Sequence, residues 1–264
     1  MSGFSAEWLA LREPVDQKAR NRDLLAAVKA HFRDRDHVTV TDLACGRGAL
    51  QRALTGRLPR PQLWNLVDYD AALLAEATAV PRSDVRSAPH LADLAADIEA
   101  IVAIPADLVA TTAFVDLVSE AWLTRFIDSV AAHRRPVYLG LSYDGRMMCE
   151  PHHPSDAAAL AAFNRHQRTD KGFGPALGPD ASSVATRLLA AHGYHVMTGQ
   201  SDWRLGAQHG DLQRAMLDGW RSAAQEVGGV AHDELAAWHA NHVACIAQGQ
   251  GTMVVGHIDL WAVP

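Results

Sequence analysis

Apolar positions follow two rhythms along this chain. Apolar-rich runs at Val38–Leu43, Leu63–Asp68, 106–112, 136–143, 194–199 and 251–263 predict buried strands. Between them, apolar residues recur at helical spacing. The clearest stripe, Trp122, Leu123, Phe126, Ile127 and Val130, predicts a helix from about Ser119 to His133. Further helices are predicted at 49–54 with a stop near Gly56, at 71–79 with Asp70 as N-cap, near 91–101, at 182–192, at 210–226 and at 231–247. A weak third strand falls near 84–88. Residues 5–31 predict two helices, with Ser5 capping the first and a break at Pro14.

Strands alternating with helices imply a mostly parallel, doubly wound sheet covered on both faces. The last two strands are separated by a long helical excursion, and the final run is a strand, which suits an antiparallel finishing pair. Residues 1–264 are expected to form one domain, with 1–36 as an N-terminal helical flank. The polar, Gly- and Pro-rich stretch 144–180 follows the fifth clear strand and predicts a substrate-site insertion.

Composition narrows the function classes. At 48% hydrophobic and 20% charged residues, the chain has the make-up of an ordinary globular protein. The net charge of −6 argues against a nucleic-acid partner, and no apolar run is long enough for a membrane partner, so a small-molecule substrate is expected. Cys45, Cys149 and Cys245 form no CxxC pair, and a cytoplasmic location and no metal follow as expectations. Glu150, His152 and His153 are too few and too constrained by adjacent prolines for a metal site of their own. The pattern leaves oligomeric state open.

The chemistry concentrates at Asp42-Leu43-Ala44-Cys45-Gly46-Arg47-Gly48, where a strand ends in an acid and opens into a glycine turn ahead of a helix. Unpaired N–H groups at a helix start accept a ligand, and glycines let it approach the main chain. A second strand ends at Asp68, at the place where a nucleotide-binding crossover unit carries its ribose acid. A dinucleotide fingerprint requires a third glycine where Gln51 stands, and no phosphate-loop motif exists.

The stretch Asp42–Gly48 resembles the first motif of class I S-adenosylmethionine-dependent methyltransferases. Asp68 resembles their second acid, and Asp107-Leu108-Val109-Ala110-Thr111-Thr112-Ala113 is similar to their fourth strand. The resemblance spans roughly residues 38–264 and implies a seven-stranded Rossmann-like methyltransferase sheet with an antiparallel last strand. It implies S-adenosylmethionine as cofactor. Asp42 and the Ala44, Cys45, Gly46 and Gly48 backbone would hold its methionine end, Asp68 its ribose, Tyr69 its adenine face, and Asp93 and Leu94 its adenine edge. Thr111 and Thr112 would lie beneath the sulfonium. One departure is Ala44, which replaces the usual first glycine and fits there at negative φ.

For the methyl acceptor, a small polar or anionic metabolite, the segment 163–175 offers Arg165, Arg168 and Lys171 as anion ligands and His166 as a catalytic base. Tyr143 and Trp203 are candidate substrate walls, and Asp116 and Glu120 are expected helix-start acids. Whether Arg12 or Arg20 folds back over the strand ends is the question the N-terminal flank poses. The rival readings are an NAD(P)-dependent oxidoreductase with a degenerate fingerprint and a non-catalytic S-adenosylmethionine-binding regulatory protein.

Overall fold

A computed structural model describes residues 5–79 and 83–264; the first four positions of the expected flank lie outside the described residues. Helices α1 (Ala6–Ala19) and α2 (Arg22–Phe32) precede β1 (Val38–Leu43), α3 (Ala49–Leu54), β2 (Gln62–Asp68), α4 (Ala71–Thr78), β3 (Val85–Leu91) and α5 (Leu94–Ala103). There follow β4 (Leu108–Thr112), α6 (Glu120–Ala132), β5 (Val137–Glu150), α7 (Asp156–Gln167), α8 (Ala181–Ala191), β6 (His195–Gln200) and β7 (Trp203–Leu205). Helices α9 (Gly210–Val227) and α10 (His232–Ala247) then lead into β8 (Thr252–Val263).

The sheet order is β3-β2-β1-β4-β5-β8-β6, with β7 also paired to β8. Strands β1 to β5 pair in parallel, while β8 runs antiparallel to β5, β6 and β7. This is the mostly parallel sheet that the sequence pattern implies, with its single reversed strand between β5 and β6. It carries eight strands rather than the expected seven, because Trp203–Leu205 adds a short one.

Alternation across the pleat feeds two cores. Leu43, Val109, Val137 and Leu139 face α5, α6 and α8, whereas Val40, Leu108, Ala110 and Tyr138 face α2, α3 and α4. A third core lies on the outer halves of β5 and β8, where Tyr143, Met147, Trp203 and Val255 pack with α1, α7, α9 and α10. Thus α1 is anchored to the C-terminal helices through Val15.

Three boundaries differ from the sequence expectation. Helix α1 passes through Pro14 without breaking, because Pro14 and Ala10, whose carbonyl loses its i+4 partner, are both exposed. The chain turns instead at Arg20-Asn21, where Asn21 caps α2. Strand β5 does not stop at Tyr143 but runs to Glu150, a register shift between Tyr143 and Met147 absorbing the polar Asp144-Gly145-Arg146. The stretch 144–180 is therefore largely ordered secondary structure, with α7 at its centre.

Candidate functional site

The carboxyl ends of β1, β4 and β5 are built with unusual backbone. Among the described residues, four that are not glycine have positive φ, and three of them lie here: Ala44 (51°) and Ala113 (50°) just past β1 and β4, and Leu141 (54°) in β5, at the register shift where its pairing with β4 stops. A left-handed residue with a Cβ costs roughly 1–2 kcal/mol, and such costs gather where a site demands a particular backbone. Ala44 therefore does not adopt the negative φ expected of it. It takes the left-handed conformation that the usual glycine supplies freely. Gly46 (50°) and Gly48 (76°) continue the turn, and Gly48 opens α3 without a side-chain cap.

Asp68 ties the turn to the neighbouring strand. Its two carboxylate oxygens accept the N–H of Gly46 at 2.8 Å and of Asp70 at 3.0 Å. Each oxygen keeps a second lone pair for a ligand. Burial raises its pKa, opposed by the N–H groups of Asp70, Gly46 and Tyr69. Tyr69 beside it is half exposed. Asp93 caps α5 by accepting the N–H of Ala95 at 2.9 Å, and the Leu94 carbonyl accepts the Trp122 indole N–H at 2.6 Å. Thr111 donates its hydroxyl to the Leu43 carbonyl at 2.7 Å, bracing β4 against β1. The Cys45 thiol is buried, and burial pushes its pKa up.

Over these strand ends lies α1, and two arginines of the N-terminal flank, Arg12 and Arg20, turn inward. Arg20 is 3% exposed; its guanidinium donates to Thr112 Oγ1 at 3.2 Å and lies 3.5 Å from the Tyr138 hydroxyl. Glycine is required at 140 for this arrangement, since a Cβ there would meet Arg20 at 2.7 Å. Asp259 completes the cluster, accepting the Tyr138 hydroxyl at 2.8 Å and the N–H groups of Leu141 and Asn21 at 2.7 and 2.9 Å. Arg20 Nε and Asp42 Oδ2 are both fully buried without a hydrogen-bond partner. Burial raises the Asp42 carboxyl to about 8, with Arg20 pulling it down and Asp68 pushing it further up.

Closer to the third core, Arg12 binds Asp16 through two N–H groups at 2.9 and 3.3 Å and lies 5.2 Å from the Trp203 ring centre. Trp203 donates its indole N–H to Asp16 at 2.9 Å and packs 5.0 Å from the His257 ring. Tyr143 stands 6.3 Å beyond His257 and donates its hydroxyl to Asn164 at 2.8 Å. Tyr143 and Trp203 are thus brought together, around an arginine, a histidine and an aspartate that the sequence pattern did not single out as ligands.

The basic segment of α7 is placed otherwise. Arg165 donates to the Gly228 carbonyl at 2.8 Å, His166 pairs with Glu226 at 3.0 Å, and Arg168 pairs with Asp180 at 3.0 Å and the Leu177 carbonyl at 2.9 Å. Lys171 donates to Thr169 at 2.9 Å and lies 3.3 Å from the His166 ring. These contacts join α7 to α9 and to the loop ahead of α8. Asp116 is not a surface helix-start acid: it is buried in a 3-10 turn after β4, and Ser119 caps α6 instead. Among metal-ligating side chains, Cys149, Asp156 and His242 converge, with Asp156 accepting from His242 at 2.7 Å and from Trp238 at 2.8 Å. Those bonds fasten the start of α7 to α10.

The buried ionic residues left a partial trace in the sequence. Asp259 and His257 interrupt an otherwise apolar strand, which signals a buried polar group. Arg12 and Arg20 carried no such signal, since charged helix residues ordinarily face water.

No family model matches the sequence, and no curated protein matches it. Solved structures do align. The cyclopropane synthase MmaA2 of Mycobacterium tuberculosis aligns with a TM-score of 0.48 at 12% identity, over 90% of this chain and 82% of that one. Magnesium protoporphyrin IX methyltransferase of Synechocystis gives 0.48 at 15%, over 76% and 83%. A SAM-dependent methyltransferase of Thiobacillus denitrificans, in complex with S-adenosyl-L-homocysteine, gives 0.44 at 14%, over 99% of both chains. At such identities and TM-scores the likeness speaks for neither activity nor ligand, and the case for either rests on the side chains at the strand ends.

Proposed function

We propose that this chain is an S-adenosylmethionine-dependent methyltransferase acting on a small polar molecule. One observation carries the reading: a buried carboxyl oxygen of Asp42 and a buried guanidinium nitrogen of Arg20 stand in each other's field, and neither has a partner. A lone buried acid or base is expensive, and the cost is lifted by a ligand that presents both charges. The α-amino-acid end of S-adenosylmethionine does so, its ammonium matching Asp42 and its carboxylate matching Arg20. A dinucleotide carries no adjacent ammonium and carboxylate and would bring phosphates toward Asp42.

The remaining residues fit the same molecule. Asp68, with one free lone pair on each oxygen, suits a ribose diol, and half-exposed Tyr69 suits an adenine face. The cofactor supplies an electrophilic methyl on a sulfonium, whose departure leaves a neutral thioether and needs no proton. The chain's task is then to hold donor and acceptor in line and to exclude water. Arg20 fixes Thr112 beneath that position, while α1 shields the strand ends from solvent.

The test is equilibrium binding by calorimetry. S-adenosylmethionine is expected to bind, NADH is not, and Asp68→Ala is expected to weaken the former by roughly tenfold or more, the value of a lost charge-assisted hydrogen-bond pair. Tight NADH binding, or cofactor affinity unmoved by Asp68→Ala, would sink the proposal.

A further inference from the structure

The second buried cluster, around Arg12, has a charge balance that selects its ligand. Arg12 is compensated by Asp16 through two hydrogen bonds, and its face is spent on Trp203. His257 turns Nδ1 toward the Val255 carbonyl at 3.1 Å, so the proton sits there and Nε2 is left as an acceptor. Burial and the nearby Arg12 keep this ring neutral. No positive charge in the cluster is left over for an anion.

What is left over is an acid. Asp116 is 6% exposed, it lies in the field of Arg12, and its Oδ1 has no hydrogen-bond partner. It follows the left-handed Ala113 that succeeds β4 and sits beside the backbone of Tyr143, whose ring stands 6.3 Å from that of His257, itself 5.0 Å from the Trp203 ring. The cations that would suit an anionic acceptor, Arg165, Arg168 and Lys171, are bound to their own neighbours on and around α7.

Resting on the methyltransferase reading, we infer that Asp116 receives a hydrogen-bond donor of the methyl acceptor, so that this site takes a neutral or cationic hydroxyl- or amine-bearing molecule with a flat apolar body and rejects carboxylates. Asp116 supplies the acceptor oxygen, Tyr143 and Trp203 the walls, and His257 Nε2 a second acceptor for a second donor.

Benzylamine, benzyl alcohol and benzoate share one ring and differ in the group offered to Asp116. Their binding is measured by calorimetry on the full chain, with and without saturating S-adenosylhomocysteine. The amine and the alcohol are expected to bind at least roughly tenfold more tightly than benzoate, the discrimination of one charge-assisted hydrogen bond. Asp116→Asn, which keeps shape and an acceptor oxygen, is expected to erase the preference for the amine and spare the alcohol. Asp116→Ala is expected to lose both, while S-adenosylhomocysteine affinity, which reports an intact fold, stays put. Benzoate binding as tightly as the amine, an unchanged ranking in Asp116→Asn, or no binding of any of the three overturns the inference. Failure of S-adenosylhomocysteine to bind the unmodified chain overturns the methyltransferase reading instead, and the ranking without it still decides the role of Asp116.

Discussion

Asp42 makes the ligand-free protein less stable as pH rises, and replacing it isolates the effect. Its carboxyl is held at about 8 in the folded chain against an ordinary value of 3.8. Between those values the folded state keeps a proton that the unfolded state has released. The group's contribution is fully present below the lower value and is lost as pH rises through the upper one, at about 1.4 kcal/mol per pH unit. Asp116, held at about 6 by burial, acts with the same sign over a narrower range, whereas His257, held at about 3 by burial, acts with the opposite sign while the unfolded histidine is still partly protonated near pH 6.5, and both are common to the two proteins compared. From pH 6.5 to 7.5 the difference between their slopes therefore belongs to Asp42. Urea denaturation of the ligand-free protein at these two pH values is expected to show the unmodified chain losing about 1.2 kcal/mol more than Asp42→Asn, a little under the full slope because the upper pH approaches the folded value. The same proton is released when a cationic ligand group binds, so calorimetry at pH 7 in buffers of different ionisation enthalpy is expected to detect it in the unmodified chain and not in the variant. Parallel pH dependence in the two proteins would refute the account of Asp42 as a buried acid awaiting a counter-charge.

Arg20→Ala is expected to weaken S-adenosylmethionine binding by roughly 10- to 100-fold, the worth of a charged hydrogen bond of about 1.5–3 kcal/mol, measured by calorimetry. Ala44→Gly removes a left-handed Cβ worth about 1–2 kcal/mol and adds unfolded-state freedom worth about 0.4–1 kcal/mol, so a melting temperature higher by about 1–4 °C is expected in thermal denaturation. Arg168→Ala breaks an exposed pair with Asp180 and is expected to shift stability by no more than about 1 kcal/mol in urea, with S-adenosylmethionine affinity unchanged.

Most of the parallel sheet was legible because β1, β2, β4 and the first half of β5 are apolar-rich runs, β3 only weakly because Arg86, Ser87, Pro89 and His90 dilute its pattern, and the reversed end because the final strand follows two long helices. The glycine turn and Asp68 were legible because a strand meeting a helix start leaves few residue choices. Strand β7 was not, since three residues between a loop and a turn carry no period. The continuation of β5 was hidden by Asp144-Gly145-Arg146, whose charges pair with each other and with Asp202. For Arg12 and Arg20 the pattern could only pose the question of folding back, and it set Asp116 at a helix start, because a charge is assigned to solvent unless its partner is known, and the partners of the two arginines lie 4, 118 and 92 positions away. The α7 cations drew attention by their density, and their density reflects helix-to-helix pairing with Glu226 and Asp180.

Helix α1 closes the strand ends from the far end of the chain's own fold. Leu9 would meet a Cβ at Gly46 at 3.3 Å, Arg47 reaches the Ala6 carbonyl, and Glu13 holds Arg52 of α3 through two bonds of 2.5 and 2.6 Å. Yet its buried side belongs to the third core, with α7, α9 and α10. Cover and third core are thus one packing unit, continuous with the sheet through β5 and β8, and what holds the front of α1 on the glycine turn is Leu9, Arg47 and the part-buried Glu13–Arg52 pair. Peeling that first stretch of α1 from the turn leaves the third core whole, so the rate of cofactor entry should rise with salt, which loosens Glu13 from Arg52, and should level off at high cofactor concentration at the speed with which the helix lifts.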